Sequence, residues 1–188
     1  MKWYSYNICD LTQEEYNKYF EQMSQDKKER VLRMAHDDDK KRTVAGEALA
    51  RRAISEWCNV PEESICFKKH QNGKPFVCGL NAEFNISHSG DMVVCAVSDK
   101  PVGIDIERIR QVNLNLAKRI CTEEELNYIF SSESEQSMRF FKIWTTKEAY
   151  AKYTGEGISQ ISRSIANDVL ITQPEIEGYF ITIISAKY

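Results

Sequence analysis

The order of the hydrophobic patterns predicts an α+β fold built on antiparallel sheet. Helix-period segments come first and strand-like runs follow, and the sequence then repeats that order, which argues against a parallel βαβ wind. Length and composition agree with a folded globular chain. The 188 residues are 42% hydrophobic and 28% charged, enough interior for one domain or two small, intimately packed halves.

In chain order, the first helix is expected over Glu14–Met23. A longer helical region runs from Asp26 to Trp57, broken near His36–Asp39, with Val44, Ala48, Leu49, Ile54 and Trp57 as its buried stripe. Past Pro61 the pattern shortens to strands: Ile65–Lys68, a turn at Asn72-Gly73, then Phe84–Ser87, Met92–Ser98 and Val102–Glu107. Thr122-x-x-Glu125 is a capping box that opens a helix through Phe130, and a second helix runs from Gln136 to Tyr153, stopped by Gly155. Val169–Thr172 and Tyr179–Ser185 are the closing strands.

Several classes are excluded at once. The longest apolar run, Met92–Val97, is far short of the roughly 18 residues of a membrane helix. The first ten residues mix aromatic with polar side chains and hold no signal-peptide core, so the expected location is the cytoplasm, with no membrane partner. Six cysteines without C-x-x-C spacing and three scattered histidines give a zinc site little support, and the thiols read as small core residues. Net charge is −3, which gives no reason to expect nucleic-acid binding. Charge is uneven, however: Asp26–Arg52 carries nine Lys or Arg against six acids, while Cys121–Ser137 carries five Glu and no base. The basic stretch is either an anion site or a solvated helix face with pairs such as Asp37 and Lys41.

The chemistry centres on Val102-Gly-Ile-Asp-Ile-Glu107. Residues two apart on a strand share a face, so Asp105 and Glu107 aim together while Ile104 and Ile106 bury on the other side. Carboxylates that close repel and need a cation or a shared proton, unless the strand is an exposed edge neutralised by Arg108 and Arg110. In Phe141–Lys152, Glu148 and Lys152 lie four apart on one helix face, the spacing also of an ordinary surface pair. If Glu148 meets the Asp105 and Glu107 face, three oxygen donors without His or Cys describe a hard-cation site, most simply Mg²⁺, with Lys147, Lys152 and the basic stretch to hold an anionic substrate. Phe84–Gly90 runs a strand into a Ser/Gly turn with His88, able to hold a phosphate or to be only a turn. Asn72-Gly73 is a hairpin signal first, and Lys74 a phosphate contact by association.

Taken together, Gly73-Lys-Pro75, Phe84-Asn-Ile-Ser-His-Ser-Gly90, Gly103-Ile-Asp-Ile-Glu107 and Trp144-Thr-Thr-Lys-Glu-Ala-Tyr-Ala-Lys152 resemble the 4'-phosphopantetheinyl transferases of the surfactin-synthetase type, in order and spacing from residue 1 through Ser159. The resemblance implies two similar α+β halves, 1–105 and 106–188, related by a pseudo-twofold axis, with the active site between them. It also implies transfer of the phosphopantetheine arm of coenzyme A to a serine of an apo acyl or peptidyl carrier protein, releasing 3',5'-ADP, with Mg²⁺ (Mn²⁺ as the alternative). By position, Asp105, Glu107 and Glu148 are then the metal ligands, Glu148 and Lys152 the catalytic residues, and Lys27, Arg30, Arg42, Thr43, Lys74, Ser87 and His88 the contacts to the nucleotide end of coenzyme A. Carrier contact falls on Leu114, Leu116 and Ile120 with Lys118 and Arg119 between them, a stretch that also reads as a plain amphipathic helix. Nonribosomal peptide, polyketide and fatty acid carriers are all candidates, and the expected enzyme is a monomer. The chain ends at Tyr188, which for this family looks like a second half lacking its last strand. Competing readings are a Mg²⁺-dependent phosphohydrolase and a non-catalytic module that binds coenzyme A or a carrier.

Overall fold

Thr12 and Thr122 each precede a glutamate by three residues, and in the computed structural model, which describes residues 1–70, 73–157, 165–166 and 168–187, both close as capping boxes. The Asn72 part of the expected turn, the Leu114 side chain, Ser159 and Tyr188 lie outside the described residues. The chain divides into two units, Met1–Pro101 and Val102–Tyr188. Each places helices on antiparallel sheet, an α+β arrangement. No helix among the described residues is long and apolar enough to cross a membrane.

The first unit holds β1 (Lys2–Asn7), α1 (Gln13–Glu21), α2 (Gln25–Leu32), α3 (Asp37–Cys58), β2 (Phe67–Lys69), β3 (Pro75–Val77), β4 (Glu83–Ser89) and β5 (Met92–Ser98). The sheet order is β1-β5-β4, and β2 pairs with β3 as a separate hairpin. β5 is the central strand, buried from Val93 to Ser98, which explains why it reads as an unbroken apolar run rather than an alternating one. Against it α3 packs Leu49, Ala50, Ala53 and Ile54, with Trp57 half-buried at the margin. At the N-terminus Tyr4, Tyr6 and Ile8 alternate with Ser5 and Asn7, and β1 pairs with β5 in register, Tyr4 opposite Cys95.

Two local expectations shift. The helix break falls at 33–36, because Asp37, Asp38 and Asp39 form the first turn of α3, where carboxylates favour the positive end of the helix dipole. Asp37 pairs with Lys40 at 2.8 Å rather than with Lys41. The thiols also differ from expectation: Cys95 is buried, but Cys9 and Cys66 are exposed and Cys58, Cys78 and Cys121 intermediate, since the strand ends and connections that carry them leave one side open.

The second unit holds β6 (Val102–Arg108), α4 (Leu114–Ile120), α5 (Glu123–Phe130), α6 (Gln136–Thr154), β7 (Val169–Thr172), β8 (Glu175–Ile176) and β9 (Tyr179–Ala186). β9 is central, with β6 on one side, β7 on the other and β8 pairing at its start. Ile104, Ile106, Ile181 and Ile183 are all fully buried. α6 lies on β6 and β9, and the buried Thr145 and Thr182 hydroxyls share a 2.8 Å hydrogen bond between helix and strand. Gly155 ends α6 in the left-handed region (φ 75°), its N–H donating to the Ala151 carbonyl at 2.9 Å.

Candidate active site: a carboxylate cluster and a basic cavity

On β6, Asp105 and Glu107 leave the strand on the same side, as period two requires, opposite Thr182 and Phe180 of β9. Ile104 and Ile106 are buried on the other face, but Asp105 is only 5% exposed, so this is no solvent-washed edge. Facing these carboxylates is one stripe of α6, formed by Trp144, Glu148 and Lys152 at four-residue spacing. The Trp144 indole N–H donates to Glu107 Oε1 at 3.1 Å, and Arg110 stands 3.5 Å from Glu107 Oε2. Lys152 Nζ donates to Asp105 Oδ1 at 2.7 Å and to the Ile104 carbonyl at 3.1 Å. Lys152 therefore bridges helix to strand instead of pairing with Glu148 along the helix.

What lets α6 come this close is Gly103. A Cβ there would lie 2.0 Å from the Ala149 carbonyl oxygen and 2.6 Å from the Tyr153 nitrogen. A glycine inside a strand is the sequence sign of such a close backbone approach, and the role of Gly103 was not legible until the helix was seen on top of it.

Glu148 carries the electrostatic consequence. Its carboxyl is pushed up from 4.5 to about 7, first by burial and then by the Asp105 charge, with Glu107 adding to it and Lys152 opposing. Among the described residues Glu148 accepts no hydrogen bond and forms no ion pair. All-oxygen donors of this kind suit a hard divalent cation, although among the described residues no three or more His, Cys, Asp or Glu side chains are already drawn up to hold a metal ion. Lys147, expected beside the substrate, points elsewhere. It is 8% exposed, and its Nζ donates to the Ile120 carbonyl at 2.9 Å and to Glu125 at 2.6 Å, because neighbouring residues on a helix leave by different faces.

A raised carboxyl retains its proton in the folded state over a range where the unfolded chain has lost it. For Glu148 that range runs from about pH 4.5 to about 7, so folding stability falls as pH rises through it and levels off above. Melting temperatures of metal-free protein and of Glu148→Gln, measured across that range, are expected to converge as pH falls and to separate as it rises, with the variant ahead. Parallel curves would contradict the shift.

In the first unit, a cavity of about 770 Å³ is lined by Lys27, Arg30, Arg42, Thr43 and His88 of the expected nucleotide contacts. Lys74 and Ser87 are not among its lining residues; the Lys74 ammonium is lowered by burial, with the Glu83 charge acting against it. Lys27 Nζ meets the buried Glu47 carboxylate at 2.6 Å. Arg42 holds the Gly90 carbonyl at 2.8 Å and Asp39 at 2.6 Å, and the Thr43 hydroxyl donates to the Asp39 carbonyl at 2.8 Å. Arg30 is exposed and makes no hydrogen bond or ion pair among the described residues. Sequence reading missed Lys68 and Lys69, which line the same cavity from β2. Adjacent lysines in a three-residue strand were the available signal.

Comparison with known proteins covers both units. Residues 10–100 match the model of the 4'-phosphopantetheinyl transferase N-terminal region, and residues 101–186 match the 4'-phosphopantetheinyl transferase superfamily. The chain is 40% identical over 137 residues to the 4'-phosphopantetheinyl transferase gsp of Aneurinibacillus migulanus, covering 72% of this chain and 57% of that protein. It is 36% identical over 151 residues to the 4'-phosphopantetheinyl transferase Sfp of Bacillus subtilis (strain 168), covering 79% and 67%. It is 46% identical over 123 residues to the 4'-phosphopantetheinyl transferase psf-1 of Bacillus pumilus, covering 64% and 53%. The matches thus span between about half and two thirds of these curated relatives' lengths. With both units matched and the carboxylates, Trp144, Glu148 and Lys152 inside the matched region, the chain belongs to the 4'-phosphopantetheinyl transferase family.

Proposed function

We propose that this chain transfers the 4'-phosphopantetheine arm of coenzyme A to a serine of an apo acyl or peptidyl carrier protein and releases 3',5'-ADP. The observation that carries the reading is the cluster of Asp105, Glu107 and Glu148 with Lys152, joined by an α6 stripe and β6. Those three carboxylates would hold Mg²⁺, for which Mn²⁺ is a chemical substitute, and the cation would supply positive charge to the diphosphate. The nucleotide end of coenzyme A goes to Lys27, Arg30, Arg42, Thr43 and His88, supported by their place on the basic cavity, with Lys74 and Ser87 flanking. The reading also treats the two units as similar halves; the recurrence of a long helix, α3 and α6, on antiparallel strands supports it.

The work left to the chain's own residues is positioning and charge. The serine Oγ attacks the phosphorus that bears the pantetheine arm, and the bond to the oxygen of 3',5'-ADP breaks. Lys152, 27% exposed beside Asp105, is placed to neutralise oxygens of the diphosphate as charge builds on them. Glu148, on the α6 stripe facing Asp105 and Glu107, would take the serine proton, directly or through one water. The reading places the enzyme in the cytoplasm as a monomer, without nucleic-acid or membrane partners.

Intact-mass spectrometry of an apo carrier protein incubated with this chain, coenzyme A and Mg²⁺ tests the proposal, with an EDTA control. A carrier gaining one phosphopantetheine, with the gain lost in EDTA, is the expected outcome. No gain, with inorganic phosphate appearing instead, would favour the phosphohydrolase. Carrier docking is assigned to α4, where Lys118 and Arg119 are exposed beside the half-buried Leu116 and Ile120. Reversing both charges with Lys118→Glu and Arg119→Glu is expected to raise KM for a carrier with an acidic docking face about tenfold, while coenzyme A affinity stays put. Unchanged carrier kinetics would remove the patch.

A further inference from the structure

We propose that Cys66 and Cys78 form a reversible disulfide that staples the base of the β2–β3 hairpin, so that one wall of the first unit's cavity responds to thiol–disulfide poise. The hairpin register sets Phe67 opposite Val77, Lys68 opposite Phe76 and Lys69 opposite Pro75. The next rung outward therefore sets Cys66 opposite Cys78, and there the Cys78 N–H donates to the Cys66 carbonyl at 2.8 Å. Opposed residues joined in this way stand about 5.5 Å apart at Cα, within the roughly 4.4–6.8 Å that a disulfide spans, and their side chains leave the same face. After burial, it is the Cys66 side chain, by hydrogen bond and charge, that pushes the Cys78 thiol up. The thiols of Cys58, Cys95 and Cys121 are also raised, but with no cysteine among the causes.

Access divides the roles. Cys66 is exposed and lines the cavity, whereas Cys78 is intermediate and does not. A small-molecule disulfide such as oxidised glutathione supplies the oxidant. The Cys66 thiolate attacks one of its sulfurs, the external S–S bond breaks and one glutathione thiolate leaves. Cys78, giving up its proton to solvent, then attacks the Cys66 sulfur and displaces the second glutathione thiolate. Two protons and two electrons pass from the protein thiols to the external disulfide, which becomes two thiols. In a reducing compartment such a pair is open by default and closes when the poise rises, the usual behaviour of redox-sensing pairs. The closed form ties Cys66, and with it the wall formed by Phe67, Lys68 and Lys69, to the opposite strand.

The test uses the full chain, incubated with oxidised glutathione, alkylated and measured by intact mass and by digestion without reductant. The expected result is a mass lower than that of reduced, alkylated protein by two alkyl groups and about 2 Da, a linked peptide pair containing Cys66 and Cys78, and return of both thiols on adding dithiothreitol. Cys78→Ser is expected to stop at the mixed disulfide, leaving one stable glutathione on Cys66. The proposal is overturned if wild-type protein retains both thiols, or keeps separate glutathione adducts at Cys66 and Cys78 without a link. It is equally overturned if the adducts of Cys78→Ser fall on Cys9 with none on Cys66.

Discussion

Gly103→Ala is expected to unfold the second unit. The added Cβ would stand 2.0 Å from the Ala149 carbonyl oxygen and 2.6 Å from the Tyr153 nitrogen, and both are backbone atoms of α6 that no rotamer change can move aside. Relief requires the helix to lift off β6, which separates Lys152 from Asp105 and Trp144 from Glu107. Overpacking of a core commonly costs about 1–3 kcal/mol; a clash between two backbones belongs at or beyond the upper end of that range. Gly46→Ala on α3 is the control. Its Cβ would meet the Ile86 side chain at 3.4 Å, an ordinary contact, and alanine favours the helix by roughly 0.5–1 kcal/mol, so the net change is small. Urea titration followed by tryptophan emission resolves the two, since Trp144 lies in the second unit and Trp3 and Trp57 in the first. Equal midpoints for Gly103→Ala and wild type would show that α6 does not rest on β6 in this way.

Glu148→Gln is expected to lower phosphopantetheine transfer by about 10³-fold or more while leaving coenzyme A affinity within about threefold. The amide keeps the size and burial of the side chain but removes the charge that Asp105 and Glu107 raise toward neutrality, and with it both a cation ligand and a proton acceptor. The nucleotide contacts assigned to coenzyme A belong to the first unit's cavity and are untouched. Calorimetry with coenzyme A beside single-turnover transfer to a carrier separates the two effects; equal losses of binding and turnover would sink the assignment. Folding of the variant is checked by the same pH series that reports the Glu148 shift, where it is expected to be the more stable protein near pH 7.

Much of this architecture is legible residue by residue. The Thr122 capping box, the Gly155 stop, the β5 run and the Val169–Thr172 strand follow from chemistry within a few residues, and they stand where the sequence puts them. So does the shared face of Asp105 and Glu107, because alternation is a property of the strand itself. The hairpin signal at Asn72-Gly73 is likewise met by β2 and β3, whereas β1 is not among the strands expected from the sequence and is fixed by its pairing with β5.

What the sequence by itself determined is the element order, the face from which each side chain departs, and a motif set that places the chain in its family. Which face meets which was decided by the tertiary structure. Glu148 and Lys152 share a helix stripe by spacing alone, but only the seating of α6 on Gly103 turns Lys152 to Asp105, sets Glu148 beside the strand carboxylates and sends Lys147 toward Glu125. Likewise, the cavity gathers Lys68 and Lys69 while passing over Lys74 and Ser87, although their sequence neighbours Gly73, Pro75, Ile86 and His88 line it. Periodicity is a short-range property of the backbone, whereas charge pairing, burial and the pKa shifts they cause depend on distances between elements that no window of sequence contains.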